Sequence, residues 1–359
     1  MKVLFDHQAF SMQKYGGISR YFANLHYGIN KRGGDESKLG LLFTDNAYIN
    51  NRELPGGIFN KLITKSSRRY KYNKWYDKHL LKQKDFDVFH PTYYHSYFLK
   101  KLQKPFVLTV HDMIHELYPQ YFLTDPYKNY KSRVIERADH IIAISECTKT
   151  DIQKFYNIAD SKITVIHHGY QMQTIDSTNS NINIDGDYLL FVGDRDNYKN
   201  FNLFAKALVP IILKHHIKLI CAGGGAFKPE ERELLKQLGI LNSVTQLSVN
   251  DNGLKHLYQN AIAFVYPSLY EGFGLPVLEA FFNSCPVIMS NTSSLPEVGG
   301  EAAAYLDPGN QHAITSAIEQ VINNNALREE LKSKGRERLK QFGFDACLQK
   351  TVQVYKSLI

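Results

Sequence analysis

The segment AFVYPSLYEGFGLPVLEAFFNSCPVIMS, residues 263–290, carries two carboxylates, Glu271 and Glu279, on either side of a glycine-rich turn. The apolar run ending at Tyr266 reads as a buried strand, with Glu271, Gly272 and Gly274 in the loop beyond it. A helix is expected from Leu275, because Pro276 suits a first turn whose N–H groups have no intrahelical partner. Glycine lets backbone amides come close to a ligand, and the exposed N–H groups of a helix start favour an anion. Amides for a diphosphate, with acids beside them for sugar and ribose hydroxyls, make the recognition set of a nucleotide sugar. A plain strand–loop–helix with two surface acids would carry the same letters.

A second group is FVGDRDNYKN, residues 191–200, directly after an apolar run. Arg195 and Lys199 there suit phosphate oxygens, the first as a planar fork and the second as a point charge. Such cations would neutralise a departing diphosphate. A third is KYGGISRYF, residues 14–22, where Gly16 and Gly17 open a helix near Ile18, a layout suited to a phosphate. It lacks the G-x-G-x-x-G spacing and the following acid of a nicotinamide site. A fourth is LTVHDMIHELYP, residues 108–119, where His111 ends a buried strand and is expected to meet substrate. His111 and His115 have a zinc-like spacing but no third ligand. Asp85/Asp87, Asp185/Asp187 and Asp194/Asp196 are weak Asp-x-Asp matches. With Arg195 and Lys199 available for the phosphates, neither a metal ion nor any other cofactor is expected.

The elements that must position these residues alternate between short β-branched runs and longer amphipathic ones. Strands are expected at 3–5, 39–43, 88–89, 106–110, 141–144 and 164–166, with helices at 18–27, 127–137 and 146–155, the last capped by Ser145. From Gln171 to Asp187 the chain is polar and aperiodic and reads as a linker. Strands resume at 188–192, 219–222, 263–266, 287–289 and 303–306, with helices at 202–215, 229–238, 252–259 and 275–282 and three more to the end. This is the pattern of α/β structure with parallel sheets covered on both faces. Two doubly wound, Rossmann-like domains facing across a cleft are expected, residues 1–170 and 186–343.

On these residues the chain resembles the family 4 glycosyltransferases, retaining enzymes of the GT-B fold, over nearly its whole length. Glu271 to Glu279 in YPSLYEGFGLPVLEA is similar to the family signature. VGDRDNYKN is similar to the family's strand-end cations, SSLPEVGGEAA (293–303) to its following loop, and AISECTK with ITVIHHGY to the end of its first domain. The resemblance implies Glu271 on the transferred sugar, Glu279 on the ribose, and Arg195 and Lys199 on the diphosphate. It implies the amides of Phe273, Gly274 and Leu275 near phosphate and sugar, His111 near the sugar, and Gly16 and Gly17 in a loop closing over the phosphates. It also implies that the first domain holds the acceptor and the second the nucleotide sugar, and that the last helix, residues 344–359, returns to the first domain. Asp194 and Asp196 depart from the pattern, since they flank Arg195 with acids. GGISRYF and HDMIHELYP are most like the bacterial mannosyltransferases of surface-polysaccharide assembly, which implies GDP-mannose as donor and a lipid-linked saccharide as acceptor.

Composition sets the outer limits. The 359 residues are 43% apolar and 22% charged, which excludes a disordered chain and suits two domains. No apolar run reaches the roughly 18 residues of a membrane span, and the opening MKVLFDHQAF does not read as a secretory signal. Cys147, Cys221, Cys285 and Cys347 form no CxxC pair, so a reduced, cytoplasmic setting is expected. The net charge of +8 comes wholly from residues 1–170, which hold 26 Lys and Arg against 16 Asp and Glu. Its densest part, residues 61–84, has Asp77 as its only acid and interleaves Leu62, Ile63, Tyr70, Tyr72, Trp75, Tyr76, Leu80 and Leu81. It reads as a solvated helix with an apolar inner face, or as a face for anionic lipid or a phosphate-bearing acceptor. No nucleic-acid motif accompanies it, and nucleic acid is not an expected partner. The rival readings are a nucleotide-sugar 2-epimerase of the same fold and a non-catalytic basic binder.

Overall fold

A computed structural model describes residues 1–57, 60, 63, 65–123, 128–171, 182, 184–195 and 197–359. Most of the expected linker, residues 172–181 and 183, lies outside these, as do Asp196, Tyr127 and residues 61 and 62 of the basic stretch. The chain divides into two compact units, Met1–Gly169 with Phe344–Ile359, and Tyr170–Gly343.

The first unit has strands β1 (Lys2–Phe5), β2 (Glu36–Leu39), β3 (Val88–His90), β4 (Val107–Val110), β5 (His140–Ala143) and β6 (Ile163–Val165). They pair in parallel in two sets, β2-β1-β3 and β4-β5-β6. A bridge between Phe89 and Phe106 brings β3 beside the start of β4. The helices are α1 (Gln8–Met12), α2 (Gly17–Arg32), α3 (Ser66–Gln83), α4 (Ile114–Leu117), α5 (Lys128–Arg137) and α6 (Glu146–Phe155). Ser145 does cap α6, accepting the Thr148 N–H.

The second unit has β7 (Tyr188–Val192), β8 (Lys218–Ala222), β9 (Val244–Leu247), β10 (Ala263–Tyr266), β11 (Val287–Ser290) and β12 (Ala304–Leu306). Its helices are α7 (Phe201–His215), α8 (Pro229–Gln237), α9 (Asp251–Asn260), α10 (Leu275–Phe282), α11 (Leu295–Gly299), α12 (Gln311–Asn323) and α13 (Asn325–Leu339). The six strands form one sheet in the order β9-β8-β7-β10-β11-β12. The order reverses between β7 and β10, and such a switch point opens a crevice beyond the carboxyl ends of the two strands. Leu189 and Phe191 of β7, Phe204, Leu208 and Ile211 of α7 and Ile314 and Ile318 of α12 are buried together on one face of this sheet.

The final helix, α14 (Phe344–Lys356), belongs to the first unit. Leu348, Val352 and Tyr355 enter the core with Phe22 and Ile29 of α2. Gly28 makes room, since a Cβ there would come 2.7 Å from Leu348 Cδ2. The Tyr355 hydroxyl meets His90 Nδ1 at 2.6 Å.

Three details differ from the sequence reading. The second strand lies at 36–39 rather than 39–43, because the Leu42 and Phe43 N–H groups donate to Asn73 Oδ1 of α3 at 2.9 and 3.0 Å instead of to a strand. The strand β9 was not among those expected, being a short, half-exposed run at the sheet edge. The inner face of α3 is half polar: Asn73 and Asp77 are buried with Leu80 and Leu81, while Tyr72 and Trp75 turn outward, Trp75 at 65% exposure.

Candidate active site

Two loops leave the switch point of the second unit, one after β7 and one after β10. Asn200, in left-handed conformation at φ 61°, ties them together. Its Nδ2 donates to the carbonyls of Pro267 and Pro308 at 3.1 and 2.7 Å, and the Leu269 N–H donates to the Tyr198 carbonyl at 2.8 Å. This brings Lys199 onto Glu271, with Nζ 2.6 Å from Oε1 and 3.4 Å from the Tyr266 hydroxyl. The side chains are only 14% and 11% exposed, so the pair is largely desolvated. The Lys199 ammonium also lies 5.0 and 5.4 Å from the ring centres of Tyr198 and Tyr266. Burial, and then the Glu271 carboxylate, push the Tyr266 phenol well above its ordinary range.

The loop after β11 staples the Glu271 turn. The Glu271 N–H donates to Ser293 Oγ at 3.0 Å, while Ser294 Oγ donates to the carbonyls of Glu271 and Phe273 at 2.8 and 3.1 Å. Gly274 then turns the chain into α10 at φ 112°, where a Cβ would lie 2.9 Å from Leu295 Cδ2. Both constraints favour glycine there. The helix therefore starts at Leu275, four residues after Glu271, with its amide end at the switch point. Glu279 sits one turn into α10, where Oε2 lies 3.4 Å from the Tyr258 hydroxyl.

Arg195 has a different setting. Its Nε donates to Glu231 Oε1 of α8 at 3.0 Å, and its terminal nitrogens donate to the carbonyls of Gly223, Gly224, Gly225 and Ala226 at 2.9–3.3 Å. The guanidinium is 1% exposed and lies 4.8 Å from the Phe227 ring centre. All three glycines have positive φ, so the clamp holds a turn that few other residues would form. In this structure Arg195 braces the loop after β8, and the cation beside Glu271 is Lys199.

Gly16, Gly17 and His111 belong to the first unit. Gly16 precedes α2, and Gln13 Oε1 accepts the Ser19 N–H in its first turn at 3.1 Å. Tyr21, one turn further, meets His111 edge-on at 5.7 Å, so the start of α2 and the end of β4 come together. The His111 N–H donates to the Tyr94 hydroxyl at 3.0 Å, its ring stacks on His168 at 5.6 Å, and its buried Nε2 has no partner. Burial first, then His90 and Lys131, lower its pKa to about 3, so the ring is neutral. Asp85 and Asp87 hold the start of β1 through Lys2.

Sequence reasoning did not single out Glu231, Tyr266 or His168. Glu231 had no signal, being 36 positions from Arg195. Tyr266 reads as an ordinary strand residue, and His168 lies in a stretch noted only for its family likeness.

The fold and this site define a class, doubly wound α/β proteins with a crevice at the switch point of the sheet. The sequence profile described as "Glycosyl transferases group 1" matches residues 172–338, and "Glycosyltransferase Family 4" matches residues 15–173. The chain belongs to this family and is a glycosyltransferase with the GT-B fold. It is 29% identical to O-antigen chain mannosyltransferase B of Escherichia coli over 291 residues, 77% of this chain and 75% of that one. It is 31% identical to O-antigen chain mannosyltransferase RfbU of Salmonella typhimurium over 216 residues, 60% of each chain. Among solved structures it is similar to Anabaena Alr3699/HepE, determined with UDP and glucose, with a TM-score of 0.73 over 99% of both chains at 15% identity.

The Arg195 clamp is testable through stability. Removing one partner of a buried pair leaves the other charge stranded, at a cost of about 3–5 kcal/mol. Urea unfolding of Arg195→Met is expected to show a loss of that size. An unchanged midpoint would show that the clamp does not hold the loop.

Proposed function

We propose that the protein transfers mannose from GDP-mannose to a hydroxyl of a lipid-linked saccharide, with retention at the anomeric carbon, in surface-polysaccharide assembly. The observation that carries this reading is the Lys199–Glu271 pair at the head of α10. The similarity to two O-antigen mannosyltransferases supports mannose and the class of product.

On this reading the diphosphate lies at the amide end of α10, with the Phe273, Gly274 and Leu275 amides and Lys199 around it, and Glu279 takes the ribose. The diphosphate displaces Glu271 from Lys199, and the freed carboxylate accepts hydrogen bonds from the sugar. Arg195 acts through the Gly223–Ala226 turn. No carboxylate is offered as a nucleophile, because the freed Glu271 is taken up by the hydroxyls of the sugar. The acceptor oxygen therefore bonds to the anomeric carbon on the face that the phosphate oxygen leaves, and that oxygen takes the acceptor proton. Lys199 and the helix amides stabilise the departing charge without a metal ion. Within the first unit, neutral His111 offers its unpartnered Nε2 to a sugar hydroxyl, and the Gly16–Gly17 turn offers backbone amides to a phosphate.

The outward face of α3 suits a peripheral place on the cytoplasmic leaflet. Arg68, Lys71 and Lys82 surround the exposed Tyr72 and Trp75, and aromatic anchors among cations favour an anionic interface. No helix among the described residues is long and apolar enough to cross a membrane.

Lys199→Ala and Glu271→Ala are each expected to lower turnover of GDP-mannose by about 10²–10³-fold. The wild-type product should carry an α-mannosyl linkage by NMR, at a rate unaffected by EDTA. Near-normal turnover in both variants would remove the site assignment, and a β product would remove retention. Co-sedimentation with phosphatidylglycerol vesicles, weakened in Trp75→Ala, is expected for the α3 face; no sedimentation would end that part.

A further inference from the structure

The first unit also has a switch point, between β1 and β3, and two hydrogen-bond donors face each other beyond it. The backbone N–H of Tyr97 donates to His95 Nδ1 at 3.1 Å. A neutral imidazole has one donor and one acceptor nitrogen, so this bond puts the ring proton on Nε2. Lys74 Nζ of α3 lies 3.4 Å from that Nε2. Two donors therefore face each other, and no carboxylate pairs with Lys74 among the described residues. An oxygen about 2.9 Å from each would satisfy both.

The surroundings fix this arrangement. The Lys74 ammonium sits 5.8 and 5.5 Å from the ring centres of Tyr70 and Tyr97, which hold a cation but cannot neutralise it. Tyr130 stacks on the His95 ring at 4.6 Å and 15°. The His95 backbone is gripped from both sides by Gln8, whose Oε1 accepts its N–H at 2.8 Å and whose Nε2 donates to its carbonyl at 3.2 Å. Gln8 Nε2 also donates to the fully buried Asp6 carboxylate at 2.6 Å. Burial, and then the Lys78 cation one turn further along α3, lower the Lys74 pKa.

We infer that Lys74 and His95 form an oxyanion subsite of the first unit, for a phosphate or diphosphate group carried by the acceptor. The inference rests on the reading that this unit holds the acceptor. The two donors grip the oxygens, Tyr130 and Tyr97 wall the site, and Gln8 aims His95. The subsite selects acceptors that bear a phosphate near the saccharide.

The test observes the His95 ring nitrogens by long-range ¹H–¹⁵N NMR in the full chain carrying Lys199→Ala, as inorganic pyrophosphate is added. His95 Nε2 is expected to shift saturably, with binding at least tenfold weaker when Lys74→Met is added. Lys74→Gln serves if Lys74→Met does not fold. A silent His95, or equal titrations with and without Lys74, would overturn the subsite. A second arm adds vesicles of phosphatidylglycerol and phosphatidylcholine. A His95 response to vesicles but not to pyrophosphate would assign the donors to lipid head groups and overturn an acceptor subsite. Thermal stabilisation by GDP-mannose, measured on the chain with Lys199 intact, separates the two readings. Its absence in the wild type would sink the proposed function, while the His95 titration would still decide the subsite.

Discussion

The second unit is organised around one ion pair that cannot remain half-satisfied. Lys199 and Glu271 are both nearly out of water, so each depends on the other while no ligand is bound. Asn200 sets the loop that carries Lys199, Ser293 and Ser294 set the turn that carries Glu271, and the buried Tyr266 hydroxyl lies under both. Gly274 then allows α10 to begin directly beside them. On the function we propose, a diphosphate entering this place exchanges one anion for another at Lys199 and releases a carboxylate for hydroxyl recognition. The pair thus holds both side chains in place at the head of the turn.

The first unit works with neutral groups instead. His90 and His111 are buried and lowered to about 3, so they serve as uncharged hydrogen-bonding rings at strand ends. His90 links α14 to the sheet through Tyr355 and passes to Thr109 at 3.0 Å, and His111 keeps an unpartnered Nε2. Asp6 is the contrasting case. It accepts from the Gln8 and Thr92 N–H groups, Thr92 Oγ1 and Gln8 Nε2, a set of donors that replaces water around a buried carboxylate. Asp6 fixes Gln8 and Gln8 fixes His95, so a buried acid sets a side chain nearer the surface.

Much of this was legible in the chain because local rules sufficed. Leu275–Phe282 as a helix follows from the glycine before it and the proline in its first turn, and Tyr188–Val192 and Ala263–Tyr266 are apolar runs bounded by breakers. Glu271 and Lys199 stood out by type and setting. What was not legible depended on partners distant in sequence. Arg195 reads as a phosphate ligand from its guanidinium fork at the end of an apolar run, whereas in the structure Glu231 and four carbonyls beyond β8 hold it. The second strand was displaced because Asn73, 30 positions away, takes the Phe43 N–H. The donors of Lys74 and His95, 21 positions apart, show their conflict only once the Tyr97 N–H fixes the imidazole proton.

On the proposed function Glu271 and a diphosphate compete for Lys199, and calorimetric titration with GDP alone tests this most directly. GDP lacks the sugar, so Glu271 has nothing to give it but repulsion. Glu271→Gln should therefore bind GDP more tightly than the wild type, and Lys199→Met more weakly. If the two substitutions move the affinity in the same direction, or neither moves it, the ion pair is not the seat of diphosphate binding.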